Sequence, residues 1–334
     1  MYTQSLVHTT PPTDSGSQQP DLSVQNHTTR IAPSPTGALH LGNARTFLIN
    51  WAIARQNNWS IVLRIEDLDT PRVKPGVIER TIDTLAWLGL DWDSGPIIQS
   101  ENLARHHAAM ESLAERRMVY PCSLTRSQIE AAPSAPNEGD HESRFDASLR
   151  PQSIPDEFHD AGTNWRLIVN RGVVEFEDAF CGTQSIDPSK TIGDFVVWTQ
   201  RSCPSYQLAV VVDDHHEGIT EIVRGDDLLD STARQLTILN ALGYAPTPRY
   251  THLPLVRGSD GRRLAKRHGD TRIDHYRKDG TSLERMIGLL GYWSGITDTR
   301  TEMSTSDFLG AFDLDTLPRE DIIFTPEDDQ WLTS

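Results

Sequence analysis

Cysteine is scarce in this sequence, and apolar runs of membrane-spanning length are missing altogether. The three cysteines, Cys122, Cys181 and Cys203, form an odd and sparse set that does not build a disulfide framework, which predicts a reduced, cytoplasmic setting. No apolar stretch approaches the roughly 20 residues of a transmembrane helix, so no membrane partner is expected. Residues 1–28 are rich in Thr, Ser, Pro and Gln and lack the apolar segment of a secretory signal, so we expect a disordered tail there.

Positive charge is also in deficit, with 31 Lys and Arg residues against 47 Asp and Glu residues and a net charge of −16. This balance argues against a protein coated in nucleic acid, although binding depends on local patches rather than on the total. Basic residues gather in 262–278, and acidic residues gather in 301–334. The basic run predicts either an anion-binding loop or a solvated face.

Hydrophobic spacing predicts alternating helices and strands in the first part of the chain. Leu41, Ala44, Leu48 and Trp51 recur at helical intervals and predict a helix over Leu41–Gln56. Strands are expected over 29–32 and Ser60–Ile65, and helices over 77–88 and 103–117. This strand–helix alternation is typical of an α/β fold with a doubly wound, parallel, Rossmann-like sheet.

The pattern changes after residue 121. Residues 125–154 are polar and aperiodic, and residues 165–169 and 173–176 look like paired strands. Beyond them we expect a buried apolar strand over 206–212, a strand over 219–223, a helix capped by Asp230 that runs to Leu242, and a helix after Ser282. The predicted organisation is a first half of the nucleotide-binding fold in 29–121, an inserted subdomain in 122–190, a second half in 191–275 and a short helical C-terminal region in 276–334.

Three separated segments carry side chains suited to a phosphate-bearing ligand. In the first, residues 30–43, a strand ends in a Pro/Gly turn and a helix begins near Leu41. Backbone N–H groups at a helix start attract phosphate, Gly37 and Gly42 permit close approach of a nucleotide, and His40 and Asn43 supply donors one helical turn apart. The alternative is an ordinary strand–turn–helix with a capping histidine.

The other two segments are charged. Residues 63–72 end a predicted strand in an acidic cluster that contains Glu66, Asp67 and Asp69. Because ligands bind at the carboxyl ends of strands in open α/β sheets, these carboxylates could hold an ammonium group, or else cap the next helix. Residues 261–269 form a cationic, glycine-flanked loop that could close over a triphosphate, although a lone basic loop is more often simply solvated.

Together the three segments resemble the class I aminoacyl-tRNA synthetases. His40-Leu-Gly-Asn43 resembles the HIGH-type signature of that family, and residues 264–269, Leu-Ala-Lys-Arg-His-Gly, resemble its KMSKS-type loop. Residues 63–72, 205–214 and 222–227 are similar to glutamyl-tRNA synthetases in particular. The sequence ends at residue 334, which leaves no room for an anticodon-binding domain after that loop, so the resemblance is to the shorter paralogues, the glutamyl-Q tRNA(Asp) synthetase family.

The resemblance implies a monomeric ligase that activates glutamate with ATP, without needing tRNA, and transfers it to the queuosine base of tRNA(Asp). It implies that glutamate is bound by Arg30, Ser34, Glu66, Tyr206 and Arg224. It also implies that ATP, accompanied by Mg²⁺ with no protein ligand assigned, is bound by His40, Gly42, Asn43 and Lys266, of which His40, Asn43 and Lys266 serve catalysis. Two alternatives remain: Tyr206 as a core aromatic, and Arg224 as a surface cation paired with Asp226 or Asp227.

The sequence departs from the family pattern in two places. Ala265 stands where serine is usual, which removes a hydroxyl donor but keeps the charge of the loop. Many members of the family hold zinc with a Cys-x-Cys pair and further ligands downstream, but here Cys122-Ser-Leu124 lacks the second thiol and Ser143 replaces a downstream cysteine. One cysteine and His141 do not complete a four-ligand structural site, so we expect no zinc.

Two other functions remain open from the sequence. A truncated or discriminating glutamyl-tRNA synthetase would charge a tRNA 3′ end, and the RNA that accepts glutamate distinguishes this function from the first. A non-catalytic paralogue would act as a binding or regulatory module. The second alternative is disfavoured by the intact set of site residues, namely Arg30, His40, Glu66, Tyr206, Arg224 and Lys266.

Overall fold

The structure is a computed structural model that describes residues 27–130, 144–262, 264 and 270–334. Most of the predicted tail, residues 1–26, lies outside the described residues, whereas Thr28 already belongs to the first strand. Within these ranges, no helix combines the length and the apolar character needed to cross a membrane.

The strands in chain order are β1 (Thr28–Ile31), β2 (Ser60–Ile65), β3 (Ser94–Ile98), β4 (Val119–Cys122), β5 (Asn164–Leu167), β6 (Val174–Asp178), β7 (Gly182–Ile186), β8 (Phe195–Thr199), β9 (Cys203–Pro204), β10 (Glu221–Gly225), β11 (Arg249–Leu253), β12 (Val256–Arg257) and β13 (Ile322–Ile323). The helices are α1 (Leu41–Gln56), α2 (Val77–Trp87), α3 (Leu103–Glu115), α4 (Arg126–Glu130), α5 (Pro188–Thr191), α6 (Tyr206–His216), α7 (Leu229–Leu242), α8 (Ile273–Lys278), α9 (Leu283–Trp293), α10 (Thr305–Ala311) and α11 (Pro326–Thr333).

A mainly parallel sheet lies at the centre of the molecule. The strands β1, β2 and β3 pair in parallel, and so do β10, β11 and β6, with β7 antiparallel at the edge. The two parts meet beside β1, where the N–H of Thr220 donates to the carbonyl of Thr28 at 2.9 Å. Alternate residues of β2 enter different apolar cores: Leu63 packs with α1, and Val62 packs with Leu236 of α7. Because helices cover both faces, the predicted doubly wound α/β fold is confirmed.

A second sheet is antiparallel, with the strand order β4-β5-β8-β9. Its strands are drawn from residues 119–204, a span that begins before and ends after the range 122–190 expected for the insertion. Within that span, β6 and β7 return to the central sheet. The sheet packs on α3, α6 and α7 through Trp165, Val197 and Leu208, which fixes it against one face of the central sheet.

Residues 206–212, predicted as a buried strand, form the first turns of helix α6, so that prediction was wrong. The run from Leu208 to Val212 is buried at every position, because α6 lies between the antiparallel sheet and two helices. A continuous apolar run does not distinguish a buried strand from a fully buried helix. The helix is instead set by Ser205, whose hydroxyl accepts the N–H of Leu208 at the N-cap.

The predicted pairing of residues 165–169 with 173–176 was also wrong. Both segments form strands, β5 and β6, but β5 pairs with β4 and β8, whereas β6 pairs with β7 and β11. The short link through Arg171 and Gly172 crosses from one sheet to the other instead of making a hairpin. Register between strands depends on partners distant in sequence, which local alternation does not reveal.

Other predicted elements are present with shifted ends. The strand expected over 219–223 is β10, which begins at Glu221 and ends at Gly225. Asp230 does not cap α7, because a 3₁₀ turn over Asp226–Leu228 leads the chain into the helix earlier and leaves Asp230 in its first turn. Ser282 is the N-cap of α9, and its side chain accepts the N–H of Arg285.

The acidic C-terminal region packs closely on the rest of the protein. Phe308, Phe312, Phe324 and Leu332 are buried in the same core as α1 and α9, and β13 pairs in parallel with β12. Capping boxes at Ser304 and Thr325 begin α10 and α11. The predicted helical C-terminal region therefore also contributes a strand beside the candidate site.

Candidate active site

A cavity of about 990 Å³ opens at the carboxyl ends of the central strands. It lies where open α/β sheets bind ligands. Eight of the nine residues singled out from the sequence line this one cavity: Arg30, Ser34, His40, Gly42, Asn43, Glu66, Tyr206 and Arg224. The ninth, Lys266, lies outside the described residues, although Leu264 of the same loop lines the cavity.

The first wall of the cavity is the turn between β1 and α1. His40 occupies the N-cap position of α1, but its side chain does not cap the helix, and its Nδ1 lies 3.0 Å from Thr271 Oγ1. By helix geometry the N–H groups of Gly42 and Asn43 have no intrahelical acceptor, and both residues face the cavity. The capping-histidine alternative therefore does not hold, and the helix start presents donors and a positive dipole end to the cavity.

The second wall is a buried network of charges around Arg64. The Arg64 guanidinium is fully buried and lies within 2.8 Å of Asp214, 2.7 Å of Glu217 and 3.1 Å of Glu66. Burial opposes its charge, but the carboxylates outweigh burial and raise the pKa of Arg64 well above its ordinary value. Arg30 joins the network through its Nε, 3.2 Å from Asp214 Oδ1.

Glu66 and Arg30 are thus held by protein partners before any ligand enters. Of the three carboxylates around Arg64, only Glu66 faces the cavity. Burial raises the pKa of Glu66 even though Arg64 and Arg30 act to lower it, so its negative charge is incompletely offset. A cationic group entering the cavity would meet this carboxylate.

Arg224 presents the opposite case, a buried cation with neutral partners. Its side chain is 5% exposed. Nε donates to His252 Nε2 at 3.0 Å, and Nη2 donates to Thr232 Oγ1 at 2.9 Å. Nη1 is buried and has no hydrogen-bond partner among the described residues. Burial lowers the pKa of Arg224, so the surface ion pair considered as its alternative is not what the structure shows.

Tyr206 stands at the start of α6 and leaves 42% of its surface exposed while lining the cavity. It is therefore not a core aromatic. Ser34 and Asn43 are also exposed residues of the lining. The polar groups of the cavity thus reach a ligand from the β1–α1 turn, the end of β2, the start of α6 and the end of β10.

The mouth of the cavity is basic. Lys74 and Arg80 lie at the start of α2, and Arg272 and Lys278 lie around α8, all exposed and all part of the lining. Arg272 is ion-paired with Asp270. Two cations of the basic run 262–278, Arg272 and Lys278, therefore face this opening, and the mouth is suited to anionic ligands larger than the cavity itself.

The sequence analysis missed Arg64, Asp214 and Glu217 as members of the site. One signal was present: Arg64 interrupts an otherwise apolar strand, and an arginine in a doubly covered strand requires carboxylate partners. Asp214 lies in the last turn of α6 and Glu217 directly follows that helix, about 150 positions along the chain, and no local pattern links them to β2.

Cys122 does not stand in a set of metal ligands. It is buried in an apolar cluster with Tyr120, Ile129 and Phe145, and Leu124 packs against the same cluster. In the part of the chain that the structure describes, no group of three or more His, Cys, Asp or Glu side chains is arranged to hold a metal ion. His141 and Ser143 lie outside the described residues, so the absence of zinc stays a prediction.

Known proteins match this chain along most of its length. The family described as "tRNA synthetases class I (E and Q), catalytic domain" matches residues 26–325. A glutamyl-Q tRNA(Asp) synthetase of Rhodopirellula baltica is 45% identical over 80% of this chain and 84% of its own length. A glutamyl-Q tRNA(Asp) synthetase of Symbiobacterium thermophilum is 41% identical over 88% of this chain and 94% of its own length.

Glutamate–tRNA ligases match as well, over a smaller share of their length. The glutamate–tRNA ligase of Nitrosospira multiformis is 38% identical over 91% of this chain and 65% of its own length. Among solved structures, a glutamate tRNA ligase from Elizabethkingia meningosepticum, in complex with its amino acid, superposes with a TM-score of 0.76. It is 25% identical, and the match covers 92% of this chain and 69% of that one.

Proposed function

This chain belongs to the class I tRNA synthetases of the E and Q type, and on that premise we propose that it activates glutamate with ATP and transfers it to the queuosine base of tRNA(Asp). The first step is the formation of glutamyl-adenylate with release of pyrophosphate. The second is attack of a queuosine hydroxyl on the carbonyl carbon of the mixed anhydride, which forms a glutamyl ester and releases AMP. The cavity described above would serve both steps.

The observation that carries the choice of glutamate is Arg224, a buried guanidinium with an unpartnered Nη1, which lines the same cavity as the HIGH-type turn. A buried guanidinium with only neutral partners is unfavourable until an anion reaches it. The side-chain carboxylate of glutamate supplies that anion and accepts a charge-assisted hydrogen bond. The amide of glutamine is neutral and supplies no such compensation.

The other groups of the cavity fit the remaining charges of an amino acid. Glu66 is the cavity-facing carboxylate of the Arg64 network, and we assign it to the substrate ammonium. Arg30 is assigned to the substrate α-carboxylate, with Ser34 and the Tyr206 hydroxyl as neutral partners. Because all five groups surround one cavity in the chain by itself, glutamate activation is expected to proceed without tRNA.

The reaction needs no enzymic nucleophile, because the α-carboxylate of glutamate attacks the α-phosphorus of ATP directly. The protein contributes positioning and charge stabilisation. The start of α1, with Gly42, and the side chains of His40 and Asn43 are assigned to the ATP phosphates, and Lys266 is assigned to the charge that grows on the departing pyrophosphate. Mg²⁺ is expected to enter with ATP and to be held largely by phosphate oxygens.

The similarity to known proteins supports the RNA half of the proposal. The two glutamyl-Q tRNA(Asp) synthetases match at 41% and 45% identity over 94% and 84% of their own lengths. The glutamate–tRNA ligases match at 38% and 39% over 65% and 62% of theirs. The second candidate function, charging of a tRNA 3′ end, rests on this weaker similarity.

The basic mouth suggests how an RNA loop would approach. An anticodon loop is short and single-stranded, and its phosphates could contact Lys74, Arg80 and Lys278 while one base enters the cavity. Such contacts release counterions, so transfer is expected to weaken with rising salt. The acidic C-terminal region contributes no cation to this mouth and is expected to lie away from the RNA path.

Glutamate-dependent exchange of pyrophosphate into ATP, measured in RNA-free buffer, tests the activation step. We expect exchange with glutamate and much less with glutamine or aspartate. Exchange that begins only when tRNA(Glu) is added would favour the 3′-charging function. Absence of exchange under both conditions would favour the non-catalytic paralogue. We further propose that the protein works as a monomer in the cytoplasm.

A further inference from the structure

The side chain of Arg224 is hydrogen-bonded to a histidine, His252, that the sequence analysis did not select. In the parallel pairing of β10 with β11, Arg224 stands opposite His252. The Nε of Arg224 donates to Nε2 of His252 at 3.0 Å. Because a guanidinium nitrogen only donates, Nε2 must present its lone pair, and the proton of the neutral imidazole must lie on Nδ1.

The other ring nitrogen meets a buried carboxylate. His252 Nδ1 lies 2.6 Å from Asp178 Oδ2, and both side chains are 0% exposed. Asp178 also accepts the backbone N–H groups of His252, Phe180 and Cys181. Burial opposes ionisation of this carboxyl, but these hydrogen bonds outweigh it and lower the pKa of Asp178. An ionised Asp178 accepts the Nδ1 proton and fixes that tautomer.

We propose that His252 and Asp178 are positioning residues for substrate selection, which orient Arg224 through a neutral acceptor and so leave its charge for the substrate carboxylate. The inference deepens the proposed function and rests on it, since it takes Arg224 as the residue that binds glutamate. Neither residue lines the cavity, so both act through Arg224.

The neutrality of the acceptor is what matters for selection. A carboxylate at the same place would hold the guanidinium equally well but would also neutralise it. The imidazole satisfies the Nε donor without supplying negative charge, and Thr232 does the same at Nη2. Nη1 then remains buried, charged and unpartnered until a ligand arrives. This arrangement favours glutamate over glutamine.

Protonation of His252 would destroy the arrangement, because the lone pair on Nε2 would be lost and a second cation would stand beside Arg224. The ionisable groups that surround His252 are Arg30 on β1, Asp178 and Cys181 beside β6, Arg224 on β10 and Tyr250 on β11. Burial lowers the pKa of His252, Arg224 and Arg30 lower it further, and Asp178 opposes them. The hydrogen bond from Arg224 requires the neutral ring, and the lowered pKa means that His252 gains its proton only at a more acidic pH than an ordinary imidazole.

The test is the KM for glutamate in ATP–pyrophosphate exchange, measured from about pH 5 to pH 8 at saturating ATP with kcat recorded in parallel. In the unmodified protein, the KM for glutamate should rise at acidic pH, as His252 gains its proton. In His252→Gln, the amide oxygen can still accept from Arg224 but cannot be protonated. The KM at pH 7 should therefore rise only about two- to tenfold, and its increase at low pH should be smaller than in the unmodified protein, with only the part due to protonation of Glu66 remaining.

His106→Gln is the matched control. His106 is also fully buried and lies 2.7 Å from a buried carboxylate, Asp213, but it has no contact with Arg224. This variant loses a comparable buried interaction, so it reports the effect of destabilisation alone. The low-pH rise in the KM for glutamate should persist in it.

Asp178→Asn provides an independent test of the tautomer. The side-chain oxygen of asparagine would face the backbone N–H groups that Asp178 now accepts, and its NH₂ would face His252 Nδ1. That would force the imidazole proton onto Nε2, leave Arg224 Nε without an acceptor, and raise the KM for glutamate about two- to tenfold with little change in kcat.

Nitrogen-15 NMR of labelled histidine measures the tautomer of His252 in the unmodified protein. The variant His252→Gln is needed only to assign the signal. The spectrum should show an Nδ1-protonated ring at pH 7. An Nε2-protonated ring, or a low-pH rise in the KM for glutamate that is as large in His252→Gln as in the unmodified protein, would overturn the inference and leave the proposed function intact. A KM for glutamate unchanged in Arg224→Met would instead refute the role of Arg224 in the proposed function.

Discussion

Arg224→Met removes the buried, unpartnered charge of the cavity while keeping an unbranched side chain of similar length. A hydrogen bond to a charged group is worth roughly 1.5–3 kcal/mol, so the KM for glutamate should rise about ten- to a hundredfold. The carboxylate that Arg224 is assigned to bind does not react, so its contact is equally strong in ground state and transition state. The change should therefore fall on KM more than on kcat, and the KM for ATP should stay near its original value.

The thermal stability of Arg224→Met provides a second measurement, because the substitution should weaken glutamate binding without destabilising the fold. Burial lowers the pKa of Arg224, which means that the fold opposes its charge. Replacing it with methionine should therefore leave the melting temperature unchanged or raise it. Glutamate, which stabilises the original protein by binding its folded state, should raise the melting temperature of the variant much less.

Pyrophosphate exchange with glutamate and ATP varied in turn, together with thermal melts in the presence and absence of glutamate, measures both effects. Arg285→Met is the control, since Arg285 pairs with Glu302 at 3.1 Å and does not line the cavity. A rise in the KM for ATP alone would show that Arg224 faces the nucleotide. An unchanged KM for glutamate would refute the reasoning from the unpartnered Nη1.

Three further predictions concern the other groups of the site. Lys266→Ala should lower kcat strongly with little effect on the KM for glutamate, because its contact strengthens as pyrophosphate leaves; an unchanged kcat would reassign the role to a neighbouring cation. Glu66→Gln should raise the KM for glutamate. Competitive inhibition by glutarate, which has no ammonium group, should stay nearly unchanged. Weakened glutarate binding would mean that Glu66 instead orients Arg64. The purified protein should contain no stoichiometric zinc and should keep its melting temperature in chelator, because Leu124 is not a ligand; one zinc per chain, lost in Cys122→Ser, would contradict this.

Local pattern predicted two elements whose ends are marked by polar residues. The helix over Leu41–Gln56 and the strand over Ser60–Ile65 have the expected bounds, because Asn57 follows the helix and Glu66 follows the strand. The same reasoning failed for α6, which is buried at every position from Leu208 to Asp214 and carries no periodic signal there. It failed for the pairing of β5 and β6 because strand partners are chosen over long separations.

The candidate site likewise contains residues that local sequence predicted and contacts that only the tertiary structure reveals. The motifs located eight cavity residues, since each motif is a continuous stretch at the end of a strand or the start of a helix. They did not reveal that Arg64 forms ion pairs with Glu66, Asp214 and Glu217. They also did not reveal the hydrogen bond from Arg224 to His252. Such contacts join residues that only the completed sheet brings together, and a buried charge acquires its partners through tertiary structure.

The identity of the RNA acceptor tests the central proposal most directly. Transfer of labelled glutamate is measured to tRNA(Asp) from queuosine-competent and queuosine-deficient cells, each with its 3′-terminal adenosine removed so that ordinary charging is impossible. The proposal predicts labelling of the truncated RNA that carries queuosine and none of the RNA that lacks it, with transfer weakened by salt. Equal labelling of both RNAs when intact, and of neither when truncated, would show 3′-end charging and contradict the proposal.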